Sequence, residues 1–211
     1  MITLQNIDLL LSKALQENNI HIADTMQQKL IYYLELMQTW NRVFNLTTIT
    51  QPRDMVYLHL IDSLVVQPYL QGNHLLDVGT GAGLPGIPLA IVNPEQQWVL
   101  LDKNSKKTRF LTQAIAELRL TNVQIIHQLT TNFHPTQCFD SILSRAFGTI
   151  RLFVESTEHL LCPNGKFIAM KGKYPQDELD DVPYRFHVHD VARLDIQGID
   201  VARHIISLRI S

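Results

Sequence analysis

Leu75-Leu76-Asp77-Val78-Gly79-Thr80-Gly81-Ala82-Gly83-Leu84-Pro85-Gly86 is a short apolar run, a burst of glycine, and the start of a second apolar run that lasts to Val92. A buried strand that ends in such a turn and passes into a helix marks a nucleotide-binding α/β unit. Glycines permit positive φ and let the backbone come close to a ligand. The free N–H groups at the helix start face a crevice at the carboxyl ends of the strands. Asp102 closes the next predicted strand, where a carboxylate can accept hydrogen bonds from both hydroxyls of a ribose.

Two ligands compete for this turn. Gly81, Gly83 and Gly86 match the G-x-G-x-x-G spacing of dinucleotide-binding enzymes. Three features favour S-adenosylmethionine (AdoMet) instead. About seventy residues of helical pattern precede the turn, whereas a dehydrogenase fingerprint usually opens its domain. About 125 residues follow it, enough to finish one sheet but not to add a substrate domain. Asp77 stands two residues before Gly79, and a carboxylate beside the turn suits an amino group and a sulfonium better than a pyrophosphate. The acid-first pattern resembles motif I of the Rossmann-like methyltransferases.

Outward from the turn, strand and helix patterns alternate. Predicted strands cover 75–78, 98–101, 123–126, 141–144 and 166–170, with helices to Val92, over 106–118 and over 150–160. Phe110, Leu111, Ala114, Ile115 and Leu118 form the buried side of the second helix. Two further strands are expected near 185–191 and 204–210. Such alternation predicts a mostly parallel sheet covered on both faces. Before the turn, Met26, Leu30, Tyr33, Met37, Trp40 and Phe44 recur at steps of three and four, which predicts one long helix with Asp24 as its N-cap. A shorter helix is expected over 4–16, and another from Pro52 toward Val66. Residues 1–70 thus read as a helical extension packed on an α/β domain formed by 71–211.

Composition bounds the rest. The 211 residues carry 18 Lys+Arg and 20 Asp+Glu, a formal charge of −2, with 45% hydrophobic and 18% charged residues. That is ordinary globular composition, too apolar for a disordered chain. The near-neutral balance argues against coating nucleic acid by bulk electrostatics but allows a local basic face. Cys138 and Cys162 lack CxxC spacing, so reduced thiols in a cytoplasmic protein are expected. Residues 1–12 have no basic start and soon turn polar, which predicts no signal peptide. No apolar run is long enough for a bilayer, so no membrane association is expected. His187 and His189 alternate along one strand without a third ligand at convincing spacing, so no metal is expected. His59, on a helix with Asp62 and Ser63, is read as a structural hydrogen-bonding group.

The string Val78-Gly79-Thr80-Gly81-Ala82-Gly83-Leu84-Pro85-Gly86-Ile87-Pro88 resembles the bacterial 16S rRNA guanine-N7 methyltransferases, once called glucose-inhibited division protein B. Trp40-Asn41, Asn45-Leu46-Thr47 and His59-Leu60-Ile61-Asp62-Ser63-Leu64 are similar to the family's prefix. Leu101-Asp102 with Lys106, Lys107, Arg109, Phe110 and Leu111 is similar to its second strand and helix. Ser144-Arg145-Ala146-Phe147, Met170-Lys171-Gly172 and Arg203-His204 extend the likeness over nearly the whole chain. The resemblance implies a class I methyltransferase fold with a seven-stranded sheet. It implies transfer of the AdoMet methyl to N7 of one guanine, position 527 of the 16S rRNA in the family's usual numbering, in the 530 loop. The partner would be 16S rRNA in the small subunit or an assembly intermediate, and the enzyme a monomer.

By position, the resemblance assigns cofactor contacts to Gly79, Leu84, Thr130, Thr131 and Arg145. The residues themselves add Asp77, Gly81, Gly83 and Asp102. Where the family commonly carries Arg and Glu after the third strand, this chain has Gln128-Leu129-Thr130-Thr131-Asn132, so a Thr hydroxyl would stand in for a carboxylate. Guanine N7 attacks with a ring lone pair and loses no proton, so no general base is required; alignment and electrostatic help suffice. Arg145, at the end of the fourth predicted strand, is the candidate for positioning substrate or cofactor, through guanine O6 or a phosphate. Lys106, Lys107, Arg109, Lys171 and Arg203 are the candidates for RNA contact. Methylation of a different substrate, or AdoMet binding without catalysis, stays open on residue pattern alone.

Overall fold

The computed structural model describes residues 4–211, with side chains from Ile7 onward. The first three residues of the predicted extension, and of the segment read as lacking a signal peptide, lie outside the described residues. Three helical segments come first. α1 (Leu4–Glu17) packs on α2 (Asp24–Phe44), whose buried side is Leu30, Ile31, Tyr33, Leu34 and Met37. Ala23, not Asp24, occupies the extended cap position of α2, and its carbonyl takes the Met26 N–H at 2.9 Å. Asp24 lies inside the first turn, where its charge complements the helix dipole.

The third segment departs from the expected single helix. α3 (Pro52–Met55) passes into a π-helical turn, Val56–Ile61, and closes as α4 (Asp62–Leu64). The Asp62 N–H reaches back to the Tyr57 carbonyl, which widens the coil. An apolar period cannot report this, because 3.6 and 4.4 residues per turn bury nearly the same positions over so short a run. π-turns are rare and concentrate at functional sites, and this one borders the crevice described below.

From β1 (His74–Val78) the chain alternates through α5 (Gly86–Val92), β2 (Gln97–Asp102), α6 (Ser105–Leu118), β3 (Val123–His127), β4 (Phe139–Arg145), α7 (Ile150–Thr157) and β5 (Leu161–Lys171). A short α8 (Gln176–Asp180), which sequence periodicity does not announce, precedes β6 (Phe186–Leu194) and β7 (Arg203–Ile210). The seven strands run in the order β3-β2-β1-β4-β5-β7-β6. β1 to β5 pair in parallel, and β7 is antiparallel to both β5 and β6. The order in which strands are added to the sheet reverses between β1 and β4, and that switch point opens a crevice at their carboxyl ends.

Two layers of side chains enclose the sheet. One joins the prefix to the α/β unit, with Leu11, Leu30, Met37 and Leu60 in the same buried cluster as Ile87, Leu100, Phe110 and Leu111. The other packs Phe139, Phe153, Phe167 and Phe186 beneath α7.

The expectation of two free thiols fails. Cys138 and Cys162 are joined in a disulfide with Cα atoms 4.9 Å apart. Parallel pairing of Phe139 with Leu161 brings the two chain neighbours together at the amino ends of β4 and β5, a proximity hidden by their separation of 24 residues. Among the described residues no helix is long and apolar enough to cross a membrane.

Candidate active site

The glycine turn is held by bonds on three sides. The N–H groups of Gly79 and Thr80 donate to the Leu101 carbonyl at 2.8 and 3.2 Å, tying the turn to the end of β2. Tyr33 of α2, fully buried, donates its hydroxyl to the Ala82 carbonyl at 2.6 Å. Asp77 accepts from Thr80 Oγ1 at 2.6 Å and from the Gly86 N–H at 2.9 Å. Burial pushes the Asp77 carboxyl up to about 6, against the opposing pull of those two bonds and of Arg145.

Asp77 is 0% exposed; its Oδ2 takes both bonds that shape the turn, and its Oδ1 has no partner among the described residues. Gly86 explains its own identity: a Cβ there would lie 2.3 Å from Leu100 Cδ2 and 2.8 Å from Asp77 Oδ2. Leu84 is likewise buried, in the core beside Ile87 and Leu100, which leaves only its backbone for a ligand.

Gly81, by contrast, faces open space. Its φ of +61° favours glycine, and a Cβ would meet nothing nearer than Lys107 Nζ at 3.5 Å. The carboxylate of Asp102 stands beside it, one oxygen accepting the Gly81 N–H and the other the Asn104 N–H, both at 2.8 Å. Each carboxylate oxygen keeps a lone pair, so Asp102 can still receive ribose hydroxyls. Thr130 and Thr131 occupy a single 3-10 turn after β3, Thr130 half-buried and Thr131 exposed. A clear backbone face at Gly81, flanked by Asp102, fits an adenosyl ligand.

Lys106, Lys107 and Arg109 begin α6, and the Asn104 side chain caps that helix by accepting the Lys106 N–H at 3.0 Å. Cations at a helix N-terminus oppose its dipole. Lys107 is the member of this group that reaches the glycine turn.

Arg145 ends β4 and joins an ion cluster. Its Nη1 donates to the Leu58 carbonyl and to Asp62 Oδ2, each at 3.0 Å. Arg203, at the start of β7, donates Nε to Asp62 Oδ1 at 2.6 Å. The Asp62 side chain is only 4% exposed, so one buried carboxylate aligns two guanidinium groups. His59 sits behind them with Nε2 3.2 Å from Thr47 Oγ1. Burial, reinforced by Arg145, lowers its imidazole to about 4, which keeps it neutral.

These groups line a cavity of about 460 Å³ bounded by the π-turn, Thr47, Ala146 and the ends of β5 and β7. Lys171 also lines it but is already spent: its Nζ donates to Glu178 Oε2 at 2.7 Å and to the Gly148 carbonyl at 2.7 Å. Phe147 folds back from β4 so that its ring borders Gly79, 2.9 Å from where a Cβ would stand.

The structure therefore brings Asp77, Gly79, Gly81, Gly83 and Asp102 into one turn, and Arg145 with Arg203 into one cleft beside it. It sets Lys171 in an internal ion pair. Asp62 as the clamp of two arginines escapes sequence reasoning, because its partners lie 83 and 141 residues away. Among the described residues no group of three or more His, Cys, Asp or Glu could hold a metal ion.

Comparison with known proteins gives a consistent picture. The family model described as rRNA small subunit methyltransferase G matches residues 26–206. The ribosomal RNA small subunit methyltransferase G of Nitrosococcus oceani is 42% identical over 200 residues, covering 95% of this chain and 94% of that protein. That of Haemophilus influenzae is 43% identical over 195 residues, covering 92% and 96%. Among solved structures, a SAM-dependent methyltransferase from Aquifex aeolicus superposes with a TM-score of 0.60 at 16% identity, over 78% of this chain and 96% of that one. The glycopeptide N-methyltransferase MtfA in complex with SAM gives 0.56 at 9% identity, over 72% and 93%. At those identities the structural likeness speaks for the fold alone.

Proposed function

The chain belongs to the rRNA small subunit methyltransferase G family and is an AdoMet-dependent rRNA methyltransferase; from that premise we propose that it methylates N7 of a single guanine in the 530 loop of 16S rRNA. The observation that carries this reading is the chemistry of the cleft lining. Its carboxylate, Asp62, is committed to two arginines, and its imidazole, His59, is buried and neutral. The lining offers hydrogen-bond donors, and its one imidazole is a weak base because burial holds it at about 4. Guanine N7 needs no proton removed, so such a lining suits it and would serve an amine or hydroxyl poorly.

Gly79, Gly81, Gly83, the backbone at Leu84, Asp102 and the turn at Thr130 and Thr131 would hold AdoMet, which supplies an electrophilic methyl on a sulfonium when bound. Asp77 holds the turn in shape. Arg145 spends Nη1 on Asp62 and Leu58, and its remaining N–H groups are available to O6 of the target base or to a phosphate. A donor at O6 fixes the base in plane with its N7 lone pair aimed at the cofactor turn, and alignment of this kind is where the rate comes from. Arg203, Lys107, Lys106 and Arg109 would take phosphates; the last three stand at the end of α6 where the dipole disfavours them, which supports a role toward an anion. Base edges in a paired A-form groove are hard to reach, so the guanine is received unstacked, on the small subunit or an assembly intermediate. Residues 1–70 form an extension packed on the catalytic domain of 71–211, in support of which Tyr33 braces the cofactor turn and Asp62 the arginines.

The test is Arg145→Ala with 16S rRNA as methyl acceptor. We expect a folded protein, weakened because the buried Asp62 loses one of its two partners, and a loss of transfer of about a hundredfold or more at saturating AdoMet. Full transfer by this variant would remove Arg145 from the site. Absence of methyl transfer to rRNA by the wild-type protein, with AdoMet bound, would overturn the proposal.

A further inference from the structure

Beyond the cleft that receives the target base, the molecule carries an exposed aromatic ring whose setting is built rather than incidental. Tyr174, in the connection after β5, is 54% exposed. Its ring stands edge-on to His204, with centroids 5.6 Å apart and planes at 87°. His204 is itself only 7% exposed and lies 3.4 Å through Nδ1 from the Gly172 carbonyl. Contact with the buried His204 fixes the tyrosine while about half of its surface stays open to solvent. A second cavity, about 380 Å³, is walled by Tyr174 and Lys173 and shares Lys171 and Gly172 with the 460 Å³ cleft, so the two are neighbours.

We propose that Tyr174 is a stacking platform for an unpaired nucleotide adjoining the target guanine; the proposal rests on the rRNA methyltransferase reading of the neighbouring cleft. Single-stranded RNA is recognised largely by aromatic side chains on which splayed bases stack. A target base held out of its stack leaves its neighbour without a partner, and Tyr174 offers that neighbour a face at the cleft's rim. Charge selects the base and not the backbone for this position. Asp177, in no ion pair among the described residues, lines the second cavity and disfavours a phosphate there, while Glu178 is paired with Lys171. Lys173, exposed and in no ion pair among the described residues, stands at the second cavity and Arg203 at the cleft, with Nη1 3.9 Å from where a Cβ on Gly172 would stand; these two would hold the flanking phosphates.

The experiment compares Tyr174→Ala, Tyr174→Phe and Tyr174→Trp with wild type in methyl transfer to 16S rRNA, together with AdoMet binding and the binding of a single-stranded RNA oligomer spanning the target. Stacking of one base predicts that Tyr174→Ala raises KM for RNA by about five- to a hundredfold with kcat nearly unchanged. Tyr174→Phe and Tyr174→Trp restore KM, and AdoMet affinity stays constant in all three. An unchanged KM in Tyr174→Ala overturns the proposal. So does a phenylalanine variant as defective as alanine, which would mean that the hydroxyl acts, or a fall in AdoMet affinity, which would mean that the ring is structural. Lack of any transfer by the wild-type protein would instead refute the methyltransferase reading, and the oligomer measurement would still report on Tyr174.

Discussion

Asp62 aligns two arginines that lie 83 and 141 residues further along the chain, and it does so from the end of a π-turn that no periodicity reveals. Hydrogen bonds between charged groups are the strong ones, and here one carboxylate accepts from both Arg145 and Arg203. Removing it leaves two half-buried cations facing each other without compensation. Asp62→Ala is expected to destabilise the fold by about 2–3 kcal/mol, with Asp62→Asn milder, and chemical denaturation measures both. Unchanged stability in Asp62→Ala would show that the cluster contributes nothing to folding.

Asp77 gives a pH signature. Its folded value of about 6 exceeds the ordinary 3.8, so between those pH values the folded chain keeps a proton that the unfolded chain has lost. The stability from this group is complete below pH 4 and is lost as pH rises to 6. Relative to Asp77→Asn, the wild-type protein should lose on the order of 3 kcal/mol across that window. Urea titrations at several pH values check it, and parallel curves for the two proteins would contradict it. His59 acts in the opposite sense. Its folded value of about 4 lies below the ordinary 6.5, so its stabilising contribution is lost as pH falls through that interval.

At the scale of elements, the glycine turn separates two kinds of glycine. Gly86→Ala places a Cβ against Leu100 and Asp77 in the core, and we expect lost stability with AdoMet binding lost in consequence. Gly81→Ala meets open space at a positive φ, so it should cost only about 1 kcal/mol of folding while reducing AdoMet affinity more than tenfold. Thermal unfolding and calorimetry distinguish the two, and equal loss of stability in both would refute the distinction. The strand–turn–helix unit at Gly79 was legible because strand period, glycine burst and apolar restart all agree locally. So were all seven strands: most are short apolar runs between polar turns, and β6 alternates polar and apolar residues. The π-turn, α8, the disulfide and the Asp62 clamp were not, because each depends on coil pitch or on contacts between distant segments. Asp77 and Lys171 were legible as residues but not as roles: burial in one case and Glu178 in the other decide what they do.

The whole molecule buries its prefix and its α/β unit in one core, so the cofactor turn depends on both. Tyr33 reaches the Ala82 carbonyl from α2, and Leu60 shares a cluster with Ile87 and Phe110. A fragment of residues 71–211 should therefore expose that apolar face, aggregate and bind no AdoMet. A soluble, AdoMet-binding fragment would refute the dependence. The formal charge of −2 is only a total and is compatible with a local cationic face. Arg145 and Arg203 share a single carboxylate in the cleft, with Lys107 at the turn, while Lys171 in the same lining is neutralised by Glu178 and Arg185 pairs with Glu158. The central claim, that this surface presents one guanine for attack through N7, is tested most directly by methylating 16S rRNA with labelled AdoMet and locating the label. Borohydride reduction and aniline cleave RNA at 7-methylguanosine and at no unmodified base. The account predicts a single scission in the 530 loop that coincides with the label; label on another atom, or spread over many sites, would contradict it.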